Sequence, residues 1–259
     1  MGDRGAGPKD NRLVLIGDVH GHYEGLCRLL DLISPRVGDR LYFLGDLVDR
    51  GSSSASVVEL VRQCGYGAVR GNHEDMMLLT FEGKQINAAR LFVWCNSGGD
   101  QTLASYTSTD LLREHLDWLH TVPLYQDLGD VFVVHAGLNP YLSLEQQGSQ
   151  ECCWIREQFL CHPKPYFADK TIVVGHTLTF TFPGVEAGKI VRGAAWLGIE
   201  TGAYHRRSGW LTALDWTNQW VYQVNVLYGG TRQGELTQFL TDLGLASAGA
   251  TPTTKDRQC

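Results

Sequence analysis

The chain has 259 residues, of which 43% are hydrophobic and 19% are charged, and its formal net charge is −6. This composition is typical of a soluble globular protein and excludes an intrinsically disordered chain. The acidic balance gives no global positive field for nucleic acid or an anionic membrane. No apolar run approaches the roughly 20 residues of a membrane helix. We therefore expect a cytoplasmic protein without nucleic-acid or membrane partners.

The first half of the chain alternates predicted strands and helices. Short apolar runs predict buried strands at 13–16, 41–44 and 68–69. Apolar residues at helical spacing predict one helix over YEGLCRLLDLI, ending before Pro35, and a second helix over 57–64. Alternation of this kind indicates an α/β layer.

The second half is predicted to be helical at first and then rich in strands. A helical region covers 73–120, with turns near NSGGD and at 105–110. Further strands are predicted at 131–134, 171–174, 196–200, 210–216 and 220–226. The last two alternate apolar and polar residues, which predicts an antiparallel pair with one solvent-exposed face. We therefore expect a mixed α/β fold with more than one sheet.

The two ends of the chain differ from the segment between them. Residues 1–10 are rich in glycine and charge, and residues 246–259 are small and polar, so both are expected to be disordered tails. The segment 11–245 shows no break and is expected to be a single catalytic domain. Seven cysteines form no C-x-x-C pair, which disfavours structural zinc, and we expect them to be reduced thiols.

Polar residues follow five of the predicted strands. The segments are GDVHG, GDLVDRG and GNHE after the first three strands, then HAG after 131–134 and GHT after 171–174. Ligand sites in α/β sheets lie outside the carboxyl ends of the strands. We therefore expect the five segments to converge on one site.

Six residues in these segments have the donor atoms of a metal site: Asp18, His20, Asp46, Asn72, His135 and His176. Buried carboxylates and imidazoles need a compensating cation, and mixed oxygen and nitrogen donors suit Mn, Fe or Zn. Six ligands are too many for one tetrahedral ion but suit two ions, the arrangement typical of phosphoryl displacement. Taken singly, each residue could instead be a helix cap or a satisfied polar group.

The five segments, in this order, resemble the metallophosphoesterase signature of the PPP-type phosphoprotein phosphatases. RGNHEDM, NSGGDQTLASY, WIREQF and IETGAYHRRSGWLTALD are similar to the small bacterial and phage serine/threonine phosphatase branch. The resemblance covers residues 12–216, most of the chain. It implies a four-layer α/β sandwich in which two mixed β-sheets are flanked by helices.

The resemblance also implies roles for individual residues. Asp18 and His20 would bind the first metal ion, Asp46 would bridge, and Asn72, His135 and His176 would bind the second. His73 would be the general acid that protonates the leaving oxygen, with Asp49 hydrogen-bonded to it. Arg50 and Arg156 would bind the phosphate, although the short W-I-R match also fits a surface arginine on a helix turn.

Two departures from related sequences bear on the substrate. The bacterial branch usually reads I-D-T-G where this chain has Glu200, from which we expect little chemical effect. Diadenosine tetraphosphate hydrolases tend to have alanine where Asp49 stands and aspartate where Glu74 stands. This difference favours a protein phosphatase.

The sequence thus predicts hydrolysis of phosphoserine and phosphothreonine, with phosphotyrosine as an open extension, in a phosphoprotein or phosphopeptide. Attack would come directly from a metal-bound hydroxide, with two divalent ions, Mn²⁺ in preference to Fe or Zn. One alternative substrate class is dinucleoside polyphosphates or other small phosphates. A catalytically inactive, metal-stabilised binding scaffold is a third hypothesis.

Overall fold

A computed structural model describes residues 11–82 and 86–244 of the chain. Its strands are β1 (Leu13–Ile16), β2 (Arg40–Phe43), β3 (Gly67–Ala68), β4 (Tyr125–Asp127), β5 (Val131–Val134), β6 (Thr171–Val174), β7 (Ile190–Arg192), β8 (Trp196–Gly198), β9 (Trp210–Asp215), β10 (Trp220–Asn225), β11 (Thr231–Glu235) and β12 (Leu240–Asp242). Its helices are α1 (Tyr23–Ile33), α2 (Ser54–Gln63), α3 (Asn72–Thr80), α4 (Ala88–Trp94), α5 (Asp100–Ser105), α6 (Thr109–Thr121), α7 (Ser149–Trp154), α8 (Glu157–Leu160) and α9 (Leu236–Phe239).

The strands form two mixed sheets of six strands each. The first has the order β11-β10-β9-β1-β2-β3, and the second has the order β12-β7-β8-β6-β5-β4. In the first sheet β1, β2 and β3 are parallel, whereas β9 to β11 pair antiparallel and join the sheet beside β1. In the second sheet β5, β6 and β8 are parallel. The prediction of an α/β fold with two mixed sheets flanked by helices is confirmed.

The alternation of side chains along β1 separates two layers of the core. Val14 and Ile16 pack with apolar residues of the first helices, including Leu26. Leu13 and Leu15 face the opposite way and pack with residues of the second sheet. Successive side chains of a strand point to opposite faces, so a strand covered on both faces is apolar throughout.

The second sheet divides the core in the same way. Val131 and Val133 of β5 lie in the cluster between the sheets, whereas Phe132 and Val134 lie in a third cluster with residues of α7 and α8. The order of layers is therefore helices, sheet, sheet, helices, as the family resemblance implies.

The prediction that β9 and β10 have a solvent-exposed face is wrong. The polar residues on that face, Thr212 and Gln223, are 1% and 0% exposed, because the second sheet covers them. The Gln223 amide donates to the Thr212 hydroxyl at 2.7 Å and to the Gly188 carbonyl at 2.9 Å. Polar alternation marks a hydrogen-bonded interior pair here, because partners inside the fold replace water.

The predicted helical region over 73–120 consists of four helices, α3 to α6. The expected turn at NSGGD is present as a kink at Gly98, whose φ of 109° is outside the helical range. The sequence patterns do not predict β4, β7, β11 and β12, which are short strands at or beside the sheet edges. Edge pairing depends on a neighbouring strand and needs no apolar run.

Several expectations concern the chain as a whole. The predicted tails, 1–10 and 246–259, lie outside the described residues, and the single-domain assignment stays a prediction. In the part of the chain that the structure describes, no helix could span a membrane.

Cys27, Cys64, Cys95, Cys152 and Cys153 are free thiols. Cys161 is disulfide-bonded, so the expectation is wrong there, because chain spacing does not report the spatial distance that pairing requires.

Replacing Leu15 by alanine tests the core between the sheets. Leu15 is fully buried there, and such truncations lower the free energy of unfolding by about 2–5 kcal/mol. Leu227, which is 38% exposed, provides a matched control whose alanine variant should lose about 0.5 kcal/mol or less. Urea unfolding of both variants measures the difference, and equal losses would contradict the assigned layers.

Candidate active site

Loops at the carboxyl ends of five strands meet in one cleft of about 220 Å³. These loops follow β1, β2, β3, β5 and β6. The predicted site residues that line the cleft are His20, Asp46, Arg50, Asn72, His73, Arg156 and His176. Asp18, Asp49 and His135 are buried and contact residues of the cleft. The structure thus brings together all ten residues that the sequence predicts.

The carboxylate of Asp46 lies at the centre of this arrangement and is 2% exposed. The Nε2 atoms of His20, His73 and His135 lie 3.5, 3.9 and 3.4 Å from its oxygens. Burial by itself raises the pKa of Asp46, but the surrounding imidazoles outweigh burial and lower the pKa overall. Asp46 is therefore held as the ionised carboxylate that a metal ion requires.

The amide oxygen of Asn72 lies close to both histidines that follow strands of the second sheet. This Oδ1 atom lies 3.0 Å from Nε2 of His135 and 2.9 Å from Nδ1 of His176. The backbone amide of His176 donates to Oδ2 of Asp18 at 3.0 Å. Oδ1 of Asp18 and Nε2 of His176 are buried without a hydrogen-bond partner among the described residues. Because buried polar atoms are rarely left unpaired, an orphaned carboxylate oxygen at this place fits a cation site.

Two of the histidines are fixed in the orientation of metal ligands. Nδ1 of His20 lies 3.0 Å from the Val48 carbonyl, and Nδ1 of His135 lies 2.6 Å from the Leu44 carbonyl. A carbonyl can only accept, so Nδ1 carries the proton and the Nε2 lone pair points into the site. Burial lowers the pKa of both imidazoles, which favours the neutral form that binds metal.

The donor atoms form two groups that share Asp46. One group is His20, Asp46 and His73, and the other is Asp46, His135 and His176, with the donor atoms of each group within 4.8 Å of one another. Shared use of one carboxylate is the geometry expected for a bridging ligand between two ions. These residues, with Asp18 and Asn72, fit a site for two divalent ions. The assignment of each donor to one ion stays a prediction, as does the role of His73 as an acid.

His73 and Asp49 form a buried pair beside the candidate metal ligands. Nδ1 of His73 lies 2.6 Å from Oδ2 of Asp49, which is fully buried. The indole N–H of Trp94 donates to the Asp49 carboxylate at 2.9 Å, and the Thr102 hydroxyl donates at 2.6 Å. Burial by itself lowers the pKa of His73, but Asp46 and Asp49 together raise it above its usual value. His73 can therefore hold a proton, with Nε2 turned toward the cleft.

Sequence reasoning missed the residues that hold Asp49. Thr102 lies within NSGGDQTLASY, so the motif contains it without indicating its function. Trp94 lies just before that motif, and nothing in its spacing distinguishes it from a core tryptophan. The two residues lie on opposite sides of the kink at Gly98 and both reach Asp49 only in the folded structure.

Glu74, to which the sequence assigned no catalytic role, ties two of the loops together. Its buried carboxylate accepts backbone N–H groups of Asp46 and Leu47 at 2.8 Å and of Gly71 at 2.9 Å. A β-carbon at Gly71 would lie 2.2 Å from the carboxylate of Asp46, so the loops approach this closely only with glycine there. Glu74 therefore fixes the position of the central carboxylate relative to α3.

The backbone of the site is strained at five residues. The positive φ angles are 47° at His20, 49° at Asp46, 74° at Asp49, 67° at Arg50 and 60° at His176. Left-handed conformations of residues other than glycine cost about 1–3 kcal/mol each and cluster at functional sites. These backbone conformations place the five side chains in or beside the cleft.

Two arginines lie on the rim of the cleft, where both are exposed. The Arg50 guanidinium lies 4.2 Å from the ring centroid of Tyr204, another residue that sequence reasoning missed. Nη1 of Arg156 donates to the Thr177 hydroxyl at 3.0 Å. Both guanidinium groups can therefore meet an anion that enters the cleft.

The fold and the site together define a metallophosphoesterase, a hydrolase with a site for two divalent ions. The calcineurin-like phosphoesterase family matches residues 11–231, and the chain belongs to this family. The PPP-type resemblance of the motifs is confirmed.

The chain is similar to relatives with two different names. Over 128 residues it is 37% identical to the symmetrical bis(5'-nucleosyl)-tetraphosphatase of Dechloromonas aromatica (strain RCB), covering 48% of this chain and 43% of that protein. Over 149 residues it is 31% identical to serine/threonine-protein phosphatase 2 of Escherichia coli (strain K12), covering 54% of this chain and 66% of that protein. The chain thus spans less than half of the first relative's length.

The fold itself has a counterpart among solved structures. A structure described as that of a proposed diadenosine tetraphosphatase superposes with a TM-score of 0.58 over 88% of this chain and 95% of that chain. The sequence identity is 21%. This likeness shows the fold alone.

Replacing Glu74 by glutamine tests how the loops hold the metal ligands. The amide cannot accept all of these N–H groups, so the affinity for Mn²⁺ should fall about 10- to 100-fold, as for other residues that orient ligands. Glu24 is exposed, and its glutamine variant is the charge-matched control. Metal titration followed by elemental analysis measures both, and an unchanged affinity in Glu74→Gln would contradict this role.

Proposed function

We propose that this protein is a metal-dependent phosphomonoesterase that hydrolyses phosphoserine and phosphothreonine in proteins. The observation that carries the proposal is the buried pair of His73 and Asp49, whose Nδ1 and Oδ2 atoms are 2.6 Å apart. An alkoxide is a strong base and a poor leaving group, so a phosphoserine or phosphothreonine ester needs a proton at the leaving oxygen. A histidine oriented by a carboxylate supplies that proton near neutral pH.

The surrounding residues position this proton donor and keep it protonated. Trp94 and Thr102 donate to the carboxylate of Asp49, which leaves that carboxylate aligned with Nδ1 of His73. The Asp49 and Asp46 carboxylates both favour the imidazolium form of His73. Since Nδ1 is occupied, Nε2 is the atom that transfers the proton to the leaving oxygen.

The two rim arginines are proposed to bind the phosphate. Guanidinium groups match phosphate oxygens with two parallel hydrogen bonds, which fixes the orientation of the ester as well as its position. Arg50 follows β2 of the first sheet, and Arg156 lies between α7 and α8, which pack against the second sheet, so the two reach the cleft from different halves of the fold. The phosphate would then lie between them and above Asp46.

The ligands proposed for the two ions are Asp18, His20, Asp46, Asn72, His135 and His176. When bound, two divalent ions activate a water molecule for in-line attack and neutralise the phosphate oxygens. We propose Mn²⁺ because the mixed oxygen and nitrogen donors suit it, as they also suit Fe and Zn. Direct attack by water forms no phosphoenzyme. The cytoplasmic location and a phosphoprotein or phosphopeptide as partner stay predictions.

A second candidate substrate class is the dinucleoside polyphosphates. The name of the Dechloromonas aromatica relative favours it, and the metal site would serve either reaction. A nucleotide leaves as a phosphate anion, whose second pKa is about 6, so that reaction depends little on a proton from His73. The presence of the acid pair therefore favours the monoester.

Replacing His73 by asparagine should separate proton donation from metal binding. Turnover of a phosphoserine peptide should fall about 10²- to 10⁴-fold. Turnover of 2,4-dinitrophenyl phosphate should fall far less, because its leaving group departs without a proton. Elemental analysis should show unchanged metal content. Equal losses on both substrates would contradict proton donation by His73, and loss of metal would mean that His73 is a ligand instead.

A direct comparison of substrates tests the proposed specificity. We expect kcat/KM for a phosphoserine peptide to exceed that for diadenosine tetraphosphate by about tenfold or more. Asp49→Ala should lower peptide turnover and leave tetraphosphate turnover nearly unchanged, because only the first reaction needs the acid. A preference for the tetraphosphate in the unmodified protein would favour the second candidate. Absence of any metal-dependent hydrolysis would support a binding scaffold.

A further inference from the structure

The guanidinium group of Arg50 is held by an aromatic ring and by no polar partner. The Arg50 side chain is exposed, and it makes no hydrogen bond or ion pair with any other residue of 11–82 and 86–244. Its Cζ atom lies 4.2 Å from the ring centroid of Tyr204. A guanidinium stacked on a ring face keeps its N–H groups available around its edge.

The backbone end of the same side chain is also fixed. Arg50 has a φ of 67°, and its amide donates to the Gly98 carbonyl at 3.3 Å. A β-carbon on Gly98 would lie 2.8 Å from the Arg50 nitrogen and 3.0 Å from its Cγ atom. The turn at Gly98 therefore packs against the base of the side chain, and Tyr204 packs against its tip.

Tyr204 makes its contacts through its ring. The ring meets the imidazole of His20 edge to face, with centroids 4.7 Å apart and an interplanar angle of 84°. Its hydroxyl has no hydrogen-bond partner in the described part of the chain. Tyr204 lines the cleft with Arg50 and His20, so the ring separates a metal ligand from a phosphate-binding side chain.

We propose that Tyr204 is a positioning residue that holds Arg50 ready to bind the substrate phosphate. This inference rests on the proposed function, because it assigns the Arg50 edge to the phosphate group. An unrestrained arginine loses much conformational entropy when it binds an anion. Stacking on Tyr204 already orders the side chain in the free protein, so less entropy is lost on binding. The aromatic face is required for this effect, and the hydroxyl is not.

The test is the affinity of the metal-loaded holoenzyme for inorganic phosphate, measured by titration calorimetry. Tyr204→Leu should weaken phosphate binding about three- to tenfold, because the freed arginine must then be ordered when it binds the anion. Tyr204→Phe keeps the ring and should stay within about twofold of the unmodified protein. Tyr141→Leu, at a tyrosine that is 75% exposed, should have no effect.

A double-mutant cycle with Arg50→Met shows whether Tyr204 acts through Arg50. In the Arg50→Met background, Tyr204→Leu should change phosphate affinity by less than about twofold, since the group it positions is gone. Tyr204→Met repeats the test with an unbranched side chain if the leucine variant unfolds. If the loss of phosphate affinity in the double variant equals the product of the two single losses, Tyr204 acts independently of Arg50 and the proposal is overturned. A loss of affinity in Tyr204→Phe as large as that in Tyr204→Leu would also overturn it.

Metal content distinguishes positioning of Arg50 from support of the metal ligands. Because Tyr204 contacts His20, the metal content of every variant is measured. Loss of metal in Tyr204→Leu would assign Tyr204 to the metal site and overturn the proposal. Phosphate binding is measured without a phosphopeptide. Failure of the chain to hydrolyse phosphopeptides would therefore refute the proposed function while leaving the Tyr204 result readable.

Discussion

The burial of an ionised carboxylate at Asp46 is the constraint on which the rest of the site depends. A carboxylate that is 2% exposed is unstable without compensating charge, which divalent ions held by the surrounding side chains would supply. Left-handed backbone at Asp46 and His20 points the two side chains at each other. Glu74 holds the loop from behind through backbone N–H groups. A buried charge or a left-handed backbone conformation would destabilise the protein elsewhere, where no ligand site requires it.

Two buried aspartates on one loop have different surroundings and thus different chemistry. Asp46 faces the Nε2 lone pairs of His20 and His135, an environment that suits a cation. Asp49 faces N–H and O–H donors from Trp94, Thr102 and His73, an environment that satisfies its charge without a metal. The two aspartates are only three positions apart in the sequence, and the turn between them separates the ligand region from the proton donor.

The sequence predicts the first half of this fold better than the last part. The stripe of Leu26, Leu29 and Ile33 and the run LVLI reflect burial directly, because helices and parallel strands repeat apolar residues at fixed spacing. The polar alternation around Thr212 and Gln223 was misleading, since a hydrogen-bonded pair inside the protein has the same pattern as a wet face. Nine of the ten predicted site residues were found because each lies in a segment that follows a strand, whereas Arg156, between α7 and α8, was found only through the resemblance of WIREQF. Trp94, Glu74 and Tyr204 act through tertiary contacts, which leave no mark on spacing.

The origin of the donors in two separate sheets has a consequence for the whole molecule. Asp18, Asp46 and Asn72 follow strands of the first sheet, whereas His135 and His176 follow strands of the second. Ions bound between them would act as a cross-link across the sandwich, at one end of an otherwise largely apolar seam. Ions that bind the native state in preference to the unfolded chain stabilise it, so resistance to heat would depend on the concentration of free ion. Metal supply would then govern the lifetime of this protein as well as its chemistry.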